Sequence, residues 1–174
     1  MSRLLTPLEI SEILHDLVTL LAAEGQAGSI FVIGGAAIAL ENPNRHTTRD
    51  IDGWLRTVDI EDAVQALSVK YGLDARWFDS EIERLRPPAS GIEIFHPVFT
   101  EGAVTLFAAN TDALLAMKLN IARDKDSLDL AYLLAACAVT SLDEAQRAYE
   151  KFYPGEALSD VAIARVDHAL GFTN

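Results

Sequence analysis

Apolar and polar positions recur with different periods along the chain, and each period predicts an element. Leu8, Ile13, Leu14, Leu17, Leu20 and Leu21 return every three or four residues, which sets them along one helical stripe. Thr6-Pro7-Leu8-Glu9 opens that helix with a capping hydroxyl, a proline in the first turn and an acid three residues after the cap; Gly25 marks its stop. The unbroken apolar run from Ile30 to Ile33 predicts a short buried strand, Gly34-Gly35 a turn, and Ala36 to Leu40 the start of a second helix. Asn42 to Thr48 reads as a loop, and Asp50 to Leu55 as a strand. Asp59-Ile60-Glu61-Asp62 caps a helix reaching about Tyr71. Leu73 to Phe78 and Ile92 to Phe95 are predicted strands on either side of the turn-rich Arg86–Gly91, and Ala103 to Ala108 is another.

From Thr111 onward the periodicity is helical throughout. Residues 111–139 predict two helices, Ser141-x-x-Glu144 is a capping box for a third, and Ser159 to Leu170 makes a fourth. The expected fold is therefore mixed α/β (α+β): a sheet flanked by helices over residues 1–108, with a helical C-terminal part over 109–174 packed on it as one structural unit. Half of the 174 residues are hydrophobic, enough for a core without covalent staples.

Charge narrows the classes of partner. A formal charge of −12 opposes broad, nonspecific nucleic-acid binding, which depends on Lys and Arg releasing counterions, so DNA is not an expected partner. It suits metal binding or docking with a basic protein. The single cysteine, Cys137, excludes an internal disulfide and fits a reducing, cytoplasmic compartment. No apolar run approaches a membrane span, and the first residues lack the basic start and cleavage site of a signal peptide.

One stretch carries chemistry. Asp50 and Asp52 flank Ile51, so in a strand both carboxylates share a face while Ile51 enters the core. Two such acids repel unless a cation sits between them, and Mg²⁺ is the hard ion that takes one or two carboxylates together with substrate phosphates. Upstream, the side-chain-free Gly34-Gly35 turn lets backbone N–H groups approach a phosphate at a helix N-terminus. A phosphate cradle followed by a metal-holding acid pair is what nucleotide chemistry needs.

Gly34-Gly35 followed by Asp50-Ile51-Asp52 resembles the motif of the nucleotidyltransferase superfamily, which has the DNA polymerase β-like fold. Residues 32–40 and 45–55, 76–88, 114–134 and 149–158 together resemble a bacterial and archaeal nucleotidyltransferase-like family related to AbiEii-type toxins of toxin–antitoxin systems. The resemblance implies Mg²⁺-assisted transfer of an NMP from an NTP to an acceptor hydroxyl, on RNA, a tRNA end or a protein, with an antitoxin as partner. It also implies that Lys118 neutralises the triphosphate and that Asp126 or Asp129 orients it or serves as a general base. Arg123 and Lys125 would add to a local positive patch.

In that reading Gly34 and Gly35 hold the β- and γ-phosphates, and Thr48 or Arg49 supports the turn or contacts phosphate. Most active members of the superfamily carry a third carboxylate on a later strand, near the first pair. Asp79 ranks first for this place, with Glu93 and Glu101 as alternatives. The family places a basic residue near position 83, where this chain has Glu83. A noncatalytic module of the same fold, binding nucleotide or a partner protein, is the alternative. The histidines show no metal-ligand spacing, and Trp54, Trp77 and Cys137 read as packing residues.

Overall fold

A computed structural model describes residues 3–74, 76–80 and 86–171. The fold is mixed α/β, as the periodicities predict, with one five-stranded sheet among the described residues. The chain divides into two compact units: Met1–Arg84 with Phe95–Ala109, and Leu85–Ile94 with Asn110–Asn174. The second unit therefore includes a segment, 85–94, that lies within the expected 1–108 core.

The first unit begins with α1 (Pro7–Ala23). Thr6 Oγ1 accepts the Glu9 N–H at 3.3 Å, and the Glu9 carboxylate accepts the Thr6 N–H at 2.9 Å, closing the capping box. Ile10, Ile13, Leu14, Leu17, Val18 and Leu21 are its buried stripe. Leu8, expected in that stripe, is 70% exposed, because the turn that holds the cap lies ahead of the packed face.

The strands are β1 (Ala27–Ile33), β2 (Ile51–Arg56), β3 (Phe78–Asp79), β4 (Phe95–Glu101) and β5 (Ala103–Ala109), in the spatial order β3-β2-β1-β5-β4. β1 runs parallel to β5 and antiparallel to β2, β2 is parallel to β3, and β4 is antiparallel to β5. Helix α2 (Gly34–Glu41) leaves the end of β1 directly, so Gly34 and Gly35 are its first residues rather than a separate turn. Helix α3 (Glu61–Tyr71) ends at Gly72, whose φ of 62° is left-handed.

Phe31 stacks between Trp54 and Phe107, at centroid distances of 5.3 and 5.1 Å, and Phe95 meets Phe31 edge-on at 5.1 Å. These rings cover one face of the sheet, and Trp54 is buried among them. On the other face Gly53 has no room for a side chain. A Cβ there would stand 2.7 Å from Phe78 Cζ and 2.8 Å from the Phe31 carbonyl oxygen.

Two predicted strands are corrected. Among the described residues of Leu73–Phe78 only the last is in a strand. Asp74 folds the stretch into a turn, its carboxylate accepting the Arg76 N–H at 3.0 Å and its carbonyl the Trp77 N–H at 3.1 Å. Ile92–Ile94 is a 3-10 turn, and strand pairing starts only at Phe95.

The second unit holds α4 (Thr111–Ile121), a 3-10 turn (Asp124–Asp126), α5 (Ser127–Ala136), α6 (Leu142–Glu150) and α7 (Asp160–Leu170). Its earlier segment is tied in by backbone bonds: Ala89 N–H to the Phe152 carbonyl at 3.1 Å and Asn110 N–H to the Ile94 carbonyl at 2.7 Å. Ser141 and Ser159 cap α6 and α7, accepting the Glu144 and Ala162 N–H groups. α4 closes on Ala122 at a φ of 46°, and Arg165 Nε donates to the carbonyl of that residue at 2.7 Å.

Candidate nucleotide site

The glycine pair sits where β1 becomes α2. Gly34 has a φ of 62°, a left-handed conformation that favours glycine. A Cβ on it would lie 2.8 Å from Asp52 Oδ2. The acid and the glycine are brought together by register: Asp52 on β2 pairs with Ile33, the residue before Gly34. On its other side Asp52 pairs with Asp79 of the parallel strand β3. Paired residues in neighbouring strands point to the same face, with the strands about 4.8 Å apart. The close acid pair in the sheet is thus Asp52 with Asp79, formed across two strands.

Asp50 stands one residue before β2 and is exposed. The strand geometry expected to align it with Asp52 begins only at Ile51. Its carbonyl accepts the Thr48 hydroxyl at 3.4 Å. Thr48 is anchored by a two-bond bridge to Leu5: its carbonyl accepts the Leu5 N–H at 2.7 Å, and its N–H donates to the Leu5 carbonyl at 3.0 Å. Leu5 is fully buried, so this loop is pinned to the core. Arg49 lies exposed between Thr48 and Asp50.

Sequence reasoning missed Arg45. A Cβ on Gly35 would stand 2.7 Å from Arg45 Nη2, 3.2 Å from its Cζ and 3.2 Å from Thr48 Oγ1. The guanidinium therefore covers the bare face of Gly35 at the first turn of α2. The only sequence signal was a basic residue in a loop long enough to run back along an eight-residue helix.

The other predicted residues belong to the second unit. Lys118 on α4 donates to Asp126 Oδ1 at 2.7 Å and to Asp129 Oδ2 at 3.0 Å; the three residues are 8%, 6% and 8% exposed. Arg123 Nε adds a bond to Asp126 Oδ2 at 3.0 Å. Burial pushes the Asp126 carboxyl up, but the hydrogen bonds and charges of Lys118 and Arg123 outweigh it and hold the carboxyl below its ordinary range. The expectation that one of the two acids partners Lys118 is replaced by a geometry in which both do. Arg123 serves this cluster, and Lys125 is exposed.

The two alternatives for the third carboxylate are Glu93 and Glu101. Glu93 is on the 3-10 turn of the second unit, where its carboxylate accepts the Gly91 N–H at 2.8 Å. Hydrogen bonding from its own backbone N–H, and next from that of Gly91, holds its carboxyl below the ordinary range. Glu101 pairs with Val104, next to the Ala27 end of β1, whereas Gly34 follows Ile33 at the other end. Six strand steps, about 20 Å, separate the two ends. Glu83 lies outside the described residues.

The donor set of the first unit fits Mg²⁺. Asp52 and Asp79 offer hard oxygens on one sheet face beside a helix N-terminus. Among the described residues no three His, Cys, Asp or Glu side chains converge on one point. An ion held by the aspartates would therefore complete its octahedral shell with water and phosphate oxygens, the mode usual for Mg²⁺. No described helix is long and apolar enough to cross a membrane. Neither a family model nor a curated protein matches the chain.

Proposed function

We propose that the protein is a Mg²⁺-dependent nucleotidyltransferase that moves an NMP from an NTP to an acceptor hydroxyl on RNA, a tRNA or a protein, acting in the cytoplasm as the toxin of a toxin–antitoxin pair. The observation that carries this reading is the approach of Asp52 Oδ2 to within 2.8 Å of where a Cβ on Gly34 would stand. It sets a carboxylate beside the orphan N–H groups of a helix start, which suits a metal-bound phosphate and repels a naked one. Asp52 and Asp79 would hold Mg²⁺, which when bound supplies charge neutralisation on the phosphate oxygens. The amides of Gly34 and Gly35 orient the triphosphate, and Thr48 supports the turn. The acceptor oxygen forms a bond to the α-phosphorus as the bond to the pyrophosphate oxygen breaks, and the hydroxyl proton passes to water. The protein contributes positioning and electrostatics.

One observation favours the second reading, a noncatalytic nucleotide- or protein-binding module. The ammonium of Lys118 already faces two buried carboxylates, so the charge assigned to a triphosphate is balanced within its own unit.

Incubation with labelled NTPs, Mg²⁺ and total RNA separates the two. Label transfer that disappears in Asp52→Asn supports the enzyme. Nucleotide binding without transfer supports the module. Growth arrest on expression, relieved by Asp52→Asn, tests the toxin role; unaffected growth with the wild type refutes it.

A further inference from the structure

We infer that the groove between α5 and α7 is a self-association surface, on which α7 of a second copy of this chain docks antiparallel about a two-fold axis at Ala164. The groove lies within the second unit and has a volume of about 580 Å³. Leu128 and Val161, 62% and 54% exposed, stand on its two helices, with the small side chains of Ala131 and Ala164 beside them. Asp160 and His168 extend the lining along α7, and both are exposed.

The spacing along α7 identifies the occupant. Asp160, Ala164 and His168 follow one another at four-residue intervals, so they share one helical face. Ala164 stands midway, about 6 Å along the axis from each. A second α7 laid antiparallel, its Ala164 against this one, sets Asp160 of each copy opposite His168 of the other. The contact is made twice, as a two-fold interface requires. Each α7 then seats in the groove of the other copy, and Leu128 and Val161 of both leave water together. The local charge favours a copy over a strongly basic partner. Arg165 is engaged with the Ala122 carbonyl at 2.7 Å and with the Asp124 carboxylate, and Asp160 is complemented by His168. In a chain of net charge −12, two copies can meet here without setting acid against acid.

The size of the face sets the strength. The 11 residues of α7 are about 16 Å long, and two helices side by side are about 20 Å wide. The two copies together bury roughly 650 Å² on this footprint, below the standard interface, so the dimer is weak, with a Kd in the micromolar range or above.

Sedimentation equilibrium from about 10 µM to 1 mM, at pH 6 and about 0.15 M salt, tests this. The wild type shows a reversible monomer–dimer equilibrium. Asp160→Lys and His168→Glu each weaken it at least about tenfold, because both contacts become repulsive. An equimolar mixture of the two variants associates again, since each contact then joins opposite charges. A wild type that stays monomeric, a dimer indifferent to both substitutions, or a mixture that associates no better than its components overturns the assignment. Cross-linking gives a readout that needs neither charge variant. In a Cys137→Ser background, Ala164→Cys forms a disulfide-linked dimer on mild oxidation much faster than does Val69→Cys, at a position 77% exposed on α3. Equal rates at the two positions also overturn it.

Discussion

Replacing Lys118 with methionine removes a cation that donates to both Asp126 and Asp129, and the shape of the side chain barely changes. The three side chains are each 9% exposed, so the variant leaves two carboxylates in a nearly dry place. Asp126 keeps Arg123, whose side chain is half-exposed, but Asp129 loses the bond at 3.0 Å. Removing one partner of a buried ion pair costs about 3–5 kcal/mol, because the remaining charge is uncompensated. The surviving Arg123 contact keeps the expected loss near the lower end, about 3 kcal/mol at pH 7. For a chain of this size that is a fall in Tm of about 6–12 °C.

The pH dependence sharpens this prediction. In the wild type the folded pKa of Asp126 is depressed, so its stabilising contribution is present above the unfolded value and fades as pH falls through the folded one. In the variant, burial no longer offset by Lys118 disfavours the charged carboxylates, so the penalty shrinks on acidification. At pH 4.5, above the unfolded Asp value of 3.8, the wild-type contribution is still present, so the second trend alone narrows the gap between the proteins. Urea denaturation followed by circular dichroism at pH 7 and pH 4.5 measures it. The Lys118→Met/Asp126→Asn/Asp129→Asn protein regains most of the loss, because all three charges are gone. A Lys118→Met protein within about 1 kcal/mol of the wild type at pH 7, or a gap that widens at pH 4.5, refutes the reasoning.

Other expectations follow from single contacts. Gly34→Ala forces a left-handed residue and sets a methyl 2.8 Å from Asp52 Oδ2. It costs about 1–3 kcal/mol by denaturation and weakens Mg²⁺·NTP binding together with stability. Gly53→Ala meets Phe78 and the Phe31 backbone, and lowers stability by about 1–3 kcal/mol without a separate effect on nucleotide affinity. Thr6→Ala breaks the capping box of α1 and costs about 1 kcal/mol in the same assay. The Tyr153 phenol, pushed up to about 12 by burial and by neighbouring Tyr149 and Glu156, ionises later than an ordinary tyrosine in an ultraviolet titration.

Much of the fold is written locally. Thr6, Ser141 and Ser159 announce their helices because a cap is a contact within a few residues, and the apolar strands β1 and β5 declare themselves by composition. Leu73–Phe78 misleads because Asp74 competes for the backbone with its own side chain, and a turn results. Ile92–Ile94 has strand composition but is fixed by Glu93 and Asn110 bonds to the backbone. At the site, the period-two rule pairs Asp50 with Asp52, whereas the sheet pairs Asp52 with Asp79. That partnership depends on which strand lies beside which, and no local pattern encodes it. Arg45 escapes for the same reason: its position over Gly35 follows from the Leu5–Thr48 bridge, a contact made across 43 residues of chain.

The central claim is that a metal-bound triphosphate rests on Gly34 and Gly35 beside Asp52 and Asp79. Paramagnetic broadening with Mn²⁺ in place of Mg²⁺ tests it most directly, read from amide signals of the isotopically labelled protein in the presence of an NTP. The account predicts that the amides of Gly34, Gly35, Asp52 and Asp79 broaden first, and that Asp52→Asn abolishes the effect. Broadening that spares these four, or that persists unchanged in Asp52→Asn, contradicts it.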